Sequence, residues 1–189
     1  MSIDFNDAEA QHSGGSLIPD KTIAPVHMTV RPGGHGPEGW LKRSKNGDAL
    51  MLDCEFTVTE GPYAKRKFWS LFTVEGETNG QKKACDISRS RIRAMLESAR
   101  GIDPADASED AINGRRVSSW SDLDSLRFVA VIGVEEGKNG YKDKNVLTAV
   151  VTPDRKEWAK LDQVKVNRTP AASVAKPAAT SAGRPSWAA

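Results

Sequence analysis

Three cations run directly into two aromatic rings in the stretch EGPYAKRKFWSLFTVEG, where Lys65, Arg66 and Lys67 precede Phe68 and Trp69. Ammonium and guanidinium groups attract phosphates, and flat rings stack on bases. Residues of these types at this spacing can therefore hold a single nucleic-acid strand. The pairing recurs. Trp40 stands with Lys42, Arg43 and Lys45; Tyr141 stands with Lys142 and Lys144; and, more weakly, Trp120 stands near Arg115 and Arg116. The same residues also admit a plainer reading, with Trp69 as a core ring and the lysines as protection for sheet edges.

Catalytic chemistry has less to work with. His12, His27 and His35 lie in or near the N-terminal third, with no spacing that suggests a triad or a metal site. His27 reads as an ordinary strand residue. His35 sits in PGGHGPEGW, which lacks the GxxxxGK[ST] pattern of a phosphate-cradling loop. Cys54 and Cys85 form no CxxC or Cys/His ligand set, and free thiols fit a reducing compartment. Glu135 and Glu136 fall at a hairpin tip and read as solvated. The expectation is a non-enzymatic binding protein without metal or cofactor.

The elements that must position these residues are mostly of period two. A first strand is expected around Val26–Arg31, before Pro32-Gly33-Gly34, and a turn at Asn46-Gly47. In the strand that follows, Leu50, Leu52, Cys54, Phe56 and Val58 face one way. Met51, Asp53, Glu55, Thr57 and Thr59 face the other. In the next strand Phe68, Phe72 and Val74 share one side, and Lys65, Lys67, Trp69, Leu71 and Thr73 the other. A helix then interrupts, with Asp86 or Ser88 as candidate N-cap, an apolar stripe of Ile92, Met95, Leu96 and Ala99, and Gly101 past its end. Its Arg89, Arg93 and Arg100 read as a solvated face, with Glu97 as the i, i+4 partner of Arg93. After an acidic loop, NGRRVSSW reads as a short strand or a turn. LRFVAVIGVEEGKNGYKDKNVLTAVVTP has the pattern of a hairpin around Asn139-Gly140, and DRKEWAKL that of a terminal helical turn.

Three strands, one helix and two more strands predict a mainly β fold. The plan matches an OB-fold-like five-stranded barrel with its helix between the third and fourth strands; a small sandwich or SH3-like barrel also suits the pattern. Residues 1–22 read as a flexible arm, 23–160 as the binding domain, and 161–189 as a disordered tail whose Ala/Pro/Ser/Thr character is clearest from Asn167 onward. The 189 residues carry a formal net charge of only +2, so any attraction for nucleic acid must come from clustering. The polar, acidic start MSIDFNDAEAQ is unlike a signal peptide, and no apolar run approaches a membrane span. A cytoplasmic protein without membrane contact is expected.

The segments FNDAE, LMLDCEFTVTEGPYAKRKFWSLFTVEG and ISRSRIRAMLESARGI together resemble a family of phage and prophage proteins. That family was long catalogued as a domain of unknown function and is regarded as single-stranded-DNA-binding proteins of the OB type. The shared pattern is a strand, EGPYAGRKxW, another strand, and an Arg-rich helix ending near GI. It covers about residues 23–153. Lys65 departs from it, standing where the family often has Gly. The resemblance implies phage DNA replication or recombination, in the cytoplasm of a host cell. On this reading the nucleic-acid-binding residues are Trp40, Lys42, Arg43, Lys65, Arg66, Lys67, Trp69, Tyr141, Lys142 and Lys144. Self-association is left open. A β-barrel adaptor that binds another protein through the same aromatics is the alternative.

The end of the chain, GRPSWAA, places a large ring in a tail with no other large apolar residue near it. Bacterial single-strand-binding proteins carry a partner-recruiting tip on a flexible tail. By analogy Pro185, Ser186 and Trp187 are expected to dock a recombinase, annealase or helicase, although the acidic run of the bacterial tip is missing and Arg184 makes this one slightly basic.

Overall fold

A computed structural model describes residues 16–138 and 140–159. The chain forms β1 (Thr22–Arg31), β2 (Lys42–Arg43), β3 (Ala49–Val58), β4 (Lys67–Gly76), α1 (Asn79–Arg100), α2 (Glu109–Gly114), β5 (Arg127–Glu135), β6 (Lys144–Val151) and α3 (Lys156–Ala159). All six strands belong to one antiparallel sheet. β3 pairs with β1, β2 and β4; β1 also pairs with β5, and β5 with β6. The protein is mainly β, with six strands instead of the five expected. The additional one is the two-residue β2, which continues along β3 where β1 ends.

β4 and β6 form no ladder with one another, so the sheet is open. They do approach. The Leu147 backbone N–H donates to Ser70 Oγ at 3.1 Å, a side-chain bond where a closed barrel would have a backbone ladder.

The alternation read from the sequence sets the layers. Leu52, Cys54, Phe56 and Val58 of β3 and Phe68 and Phe72 of β4 turn inward and are buried, with Val26 and Met28 of β1 and Phe128, Ala130 and Ile132 of β5. Burial pushes the Cys54 thiol pKa up, so this cysteine packs as a small apolar residue. Helix α1 covers the core with Met95, Leu96 and Ala99, and packs on β4, β5 and β6.

Two local readings are corrected and one is resolved. Helix α1 begins well before Asp86 and Ser88. Its N-cap is Thr78, in a capping box in which Thr78 and Gln81 each satisfy the other's backbone N–H. Gly101 does end the helix, in the left-handed conformation (φ 66°). The arginine face of α1 is not simply solvated. Arg93 makes the expected i, i+4 pair with Glu97 at 2.8 Å, but that acid is buried and also takes Arg115, at 2.7 Å. Arg100 donates to the carbonyls of Gly114 and Arg116, at 2.5 and 3.2 Å, and burial lowers its pKa. These arginines tie the acidic loop, which contains α2, to the helix. Of the two readings of NGRRVSSW, the turn is the one found: Asn113 and Gly114 close α2, residues 115–119 turn without forming a strand, and Trp120 opens a 3-10 helix, Trp120–Leu123.

The segment read as an arm reaches the core. Ile18 is buried, and its N–H and C=O are bridged by the Asn145 side chain, at 2.9 and 2.8 Å. Among the described residues no helix is long and apolar enough to cross a membrane.

Candidate nucleic-acid interface

The outward face of β1, β3 and β4 is built in cross-strand rows. Thr29, Glu55 and Trp69 form one row, and Arg31, Asp53 and Leu71 the next. Beyond β1, β2 places Lys42 opposite Met51. Because side chains alternate, the residues that seat Phe68 and Phe72 in the core also turn Trp69 and Leu71 outward. Trp69 is 45% exposed and Leu71 52%. Of the two, the Trp69 indole offers the flat face on which a base can stack, and Leu71 extends the apolar surface beside it.

This face leads into an open groove of about 550 Å³ along the β4–β6 seam. Trp69, Ser70 and Leu71 line one side, and Val146, Leu147 and Thr148 the other. Arg31 and Lys42 enter from the sheet, Arg91 from α1 and Lys144 from the start of β6; Asp53 and Glu135 are the acids of the lining.

Carboxylates accompany the cations closely. Asp53, only 5% exposed, accepts at Oδ2 from Arg31 Nη2 at 2.7 Å and Lys42 Nζ at 3.4 Å. The hydrogen bond to Asp53 raises the Arg31 pKa. Glu55 accepts at Oε1 from Lys67 Nζ at 2.6 Å and at Oε2 from Trp69 Nε1 at 3.1 Å. The Lys67 hydrogen bond and charge, with the indole N–H, hold the Glu55 carboxyl below its usual pKa. Lys144 pairs with Glu135 at 3.4 Å. Lys67, Arg31, Lys42, Arg91 and Lys144 therefore face Glu55, Asp53 and Glu135, which leaves a modest positive excess.

The sequence-predicted residues divide. Lys42, Trp69 and Lys144 line the groove, and Lys67 stands beside it on the same face through Glu55. Trp40 is partly buried against the core and does not line the groove. Arg43 lies outside the lining, and donates to the Gly47 carbonyl of its own hairpin at 3.4 Å. Arg66 reaches the Ser16 carbonyl. Tyr141 and Lys142 are exposed on the β5–β6 loop, outside the groove lining. In the weaker pairing, Trp120 packs against the core, Arg115 is held by Glu97 and the Asp103 and Asp106 carbonyls, and Arg116 is exposed. Pro185, Ser186 and Trp187, and the tail of residues 161–189, lie outside the described residues.

Lys65 is not on the strand. It closes the turn before β4 with φ 68°, its N–H donating to the Val58 carbonyl at 2.8 Å. The left-handed region costs a residue with a Cβ roughly 1–2 kcal/mol, and glycine little, so the place where Lys65 departs from EGPYAGRKxW is one where glycine fits the backbone better. Lys65→Gly is expected to stabilise the fold by up to about 1 kcal/mol, part of the relief being offset by the looser unfolded chain. Urea denaturation measures this; a loss of stability would place a needed contact on the lysine side chain.

Arg31, Asp53, Glu55, Leu71, Arg91 and Glu135 were not foreseen as site residues. Asp53, Glu55 and Leu71 were legible as outward by alternation, but their neighbours required the strand register. Arg91 required the packing of α1. Among the described residues no group of three or more His, Cys, Asp or Glu side chains is arranged to hold a metal ion. No protein-family model matches the chain, and no curated protein matches it.

Proposed function

We propose that the protein binds single-stranded DNA without strong sequence preference, on the outward face of β1, β3 and β4 and along the β4–β6 groove. The carrying observation is the exposed Trp69–Leu71 pair set among Arg31, Lys42, Arg91 and Lys144. The apolar pair offers bases a surface, and the cations stand where a strand passing over it would bring its phosphates. We read the long strands as an opened OB barrel. β1 pairs with both β3 and β5, β3 pairs with β4, β5 pairs with β6, α1 follows the third long strand, and Ser70–Leu147 bridges the unclosed seam. The resemblance of the EGPYAKRKFW segment supports a role in phage or prophage DNA replication or recombination. The protein acts by binding, with no catalytic step. The Pro185–Trp187 tip is proposed as a docking peptide for a recombinase, annealase or helicase; deleting residues 185–189 should abolish that contact and leave DNA affinity unchanged.

A second reading, an adaptor that binds another protein through the same face, gains from one observation. Arg31, Lys42, Lys67 and Lys144 each have a carboxylate partner. Salt separates the two readings. Phosphate binding releases counterions, so the logarithm of affinity for oligo(dT) should fall linearly with the logarithm of salt, with a slope of about −0.7 per phosphate neutralised. Replacing Lys42 and Lys67 together by alanine should weaken binding evenly across sequences and flatten the slope by up to about 1.4, roughly 0.7 for each cation lost. A slope near zero in the wild type, or one unchanged in the double variant, would remove the electrostatic part of the reading.

A further inference from the structure

We infer that Asp53 and Glu55 are resident competitors of phosphate, which hold the binding cations in position in the free protein and limit how tightly a strand can bind. This rests on the single-strand reading above. The two acids are two residues apart on β3, so they share the outward face, about 6.6 Å apart along the strand. They stand directly opposite the two exposed apolar side chains of β4, with Asp53 across from Leu71 and Glu55 across from Trp69.

Each acid occupies the donors that a phosphate would seek. One Asp53 oxygen takes both Arg31 and Lys42. The two Glu55 oxygens take Lys67 and the indole N–H of Trp69. A side chain chosen only to support stacking could accept from the indole without a charge. A full carboxylate in the middle of a cationic face opposes an incoming phosphodiester at close range. It also keeps long side chains ordered before binding, which lowers the entropy lost when they meet phosphate. The expected outcome is a face that is preformed but deliberately weak, suited to a protein that must give up its strand.

Glu55→Gln is the primary test, because it keeps the shape and the acceptor for Trp69 while removing the charge. Glu55 is more exposed than Asp53, so the exchange is also the safer one for folding; Asp53→Asn serves as an independent second variant. Both are measured with the full chain and fluorescently labelled oligo(dT) at several salt concentrations. Glu55→Gln is expected to bind roughly 1.5- to fivefold more tightly at low salt, the scale of one exposed charge pair, with a salt slope steeper by about 0.7. The gain should shrink in a Lys67→Ala background, to the part that comes from direct repulsion between Glu55 and phosphate. If wild-type binding is salt-dependent but Glu55→Gln and Asp53→Asn bind equally or more weakly with an unchanged slope, the acids only position their neighbours and this inference is wrong, while the single-strand reading stands. If the wild type shows no salt-dependent binding to oligo(dT), the single-strand reading fails and the inference falls with it.

Discussion

Replacing Phe56 with alanine is expected to cost about 3–5 kcal/mol of folding stability, the range for truncating a fully buried phenylalanine. Phe56 has no exposed surface, and it lies at the centre of an aromatic cluster. Its ring stacks on Phe68 with centroids 5.1 Å apart, and meets Phe72 and Phe128 edge-on at 6.4 and 5.9 Å. These rings come from β3, β4 and β5. A cavity at Phe56 therefore removes contacts on three strands, two of which do not pair with each other. A loss of this size is a large part of the total stability of a small domain, and it should appear as a lower denaturation midpoint with an unchanged slope. A near-neutral melt would mean that the register of β3 is displaced by one residue, which would also turn Trp69 inward.

Trp69→Ala should behave in the opposite manner. The indole is 45% exposed, and its hydrogen bond to Glu55 lies at the surface. Folding stability should change by about 0.5 kcal/mol or less, as for most surface substitutions. Binding to oligo(dT) should weaken by about 1–3 kcal/mol, the worth of one stacked base. Paired melts and titrations separate the two effects. An unfolded variant would make Trp69 a structural ring, and an intact fold with unchanged affinity would remove stacking from the account.

The contrast between Phe56 and Trp69 shows what alternation alone could reveal. With period two, a single correct register fixes the face of every residue on a strand, so Phe56, Phe68 and Phe72 were legible as inward and Trp69, Leu71, Asp53 and Glu55 as outward. Register between strands was not legible. Nothing in the sequence says that Glu55 lies across from Trp69, or that Arg31 on β1 and Lys42 on β2 converge on Asp53, so the cations were read without their acids. The helix start was missed for a local reason. The Thr78–Gln81 capping box opens a polar turn, TNGQKK, that precedes the apolar stripe, and a stripe marks only the buried part of a helix. That the Trp40 ring packs against the core was not legible, because an aromatic beside cations looks the same in sequence whether its ring meets solvent or the core. The sequence also could not show that the seam between β4 and β6 is spanned by Ser70 and not by a ladder, although that opening bounds the groove.

The central claim places a DNA strand against one particular ring, and the indole N–H signals of the protein report on it directly. The sequence has five tryptophans. Trp69 lines the groove, whereas Trp40 and Trp120 pack on the core and Trp158 donates to the Ser98 carbonyl at 3.2 Å. In a ¹H–¹⁵N spectrum, with Trp69 assigned by a Trp69→Phe variant, titration with oligo(dT) should shift or broaden the Trp69 indole resonance progressively to saturation. Those of Trp40, Trp120 and Trp158 should move little. Saturable binding of oligo(dT) that leaves the Trp69 resonance in place would contradict the account and put the strand on another surface.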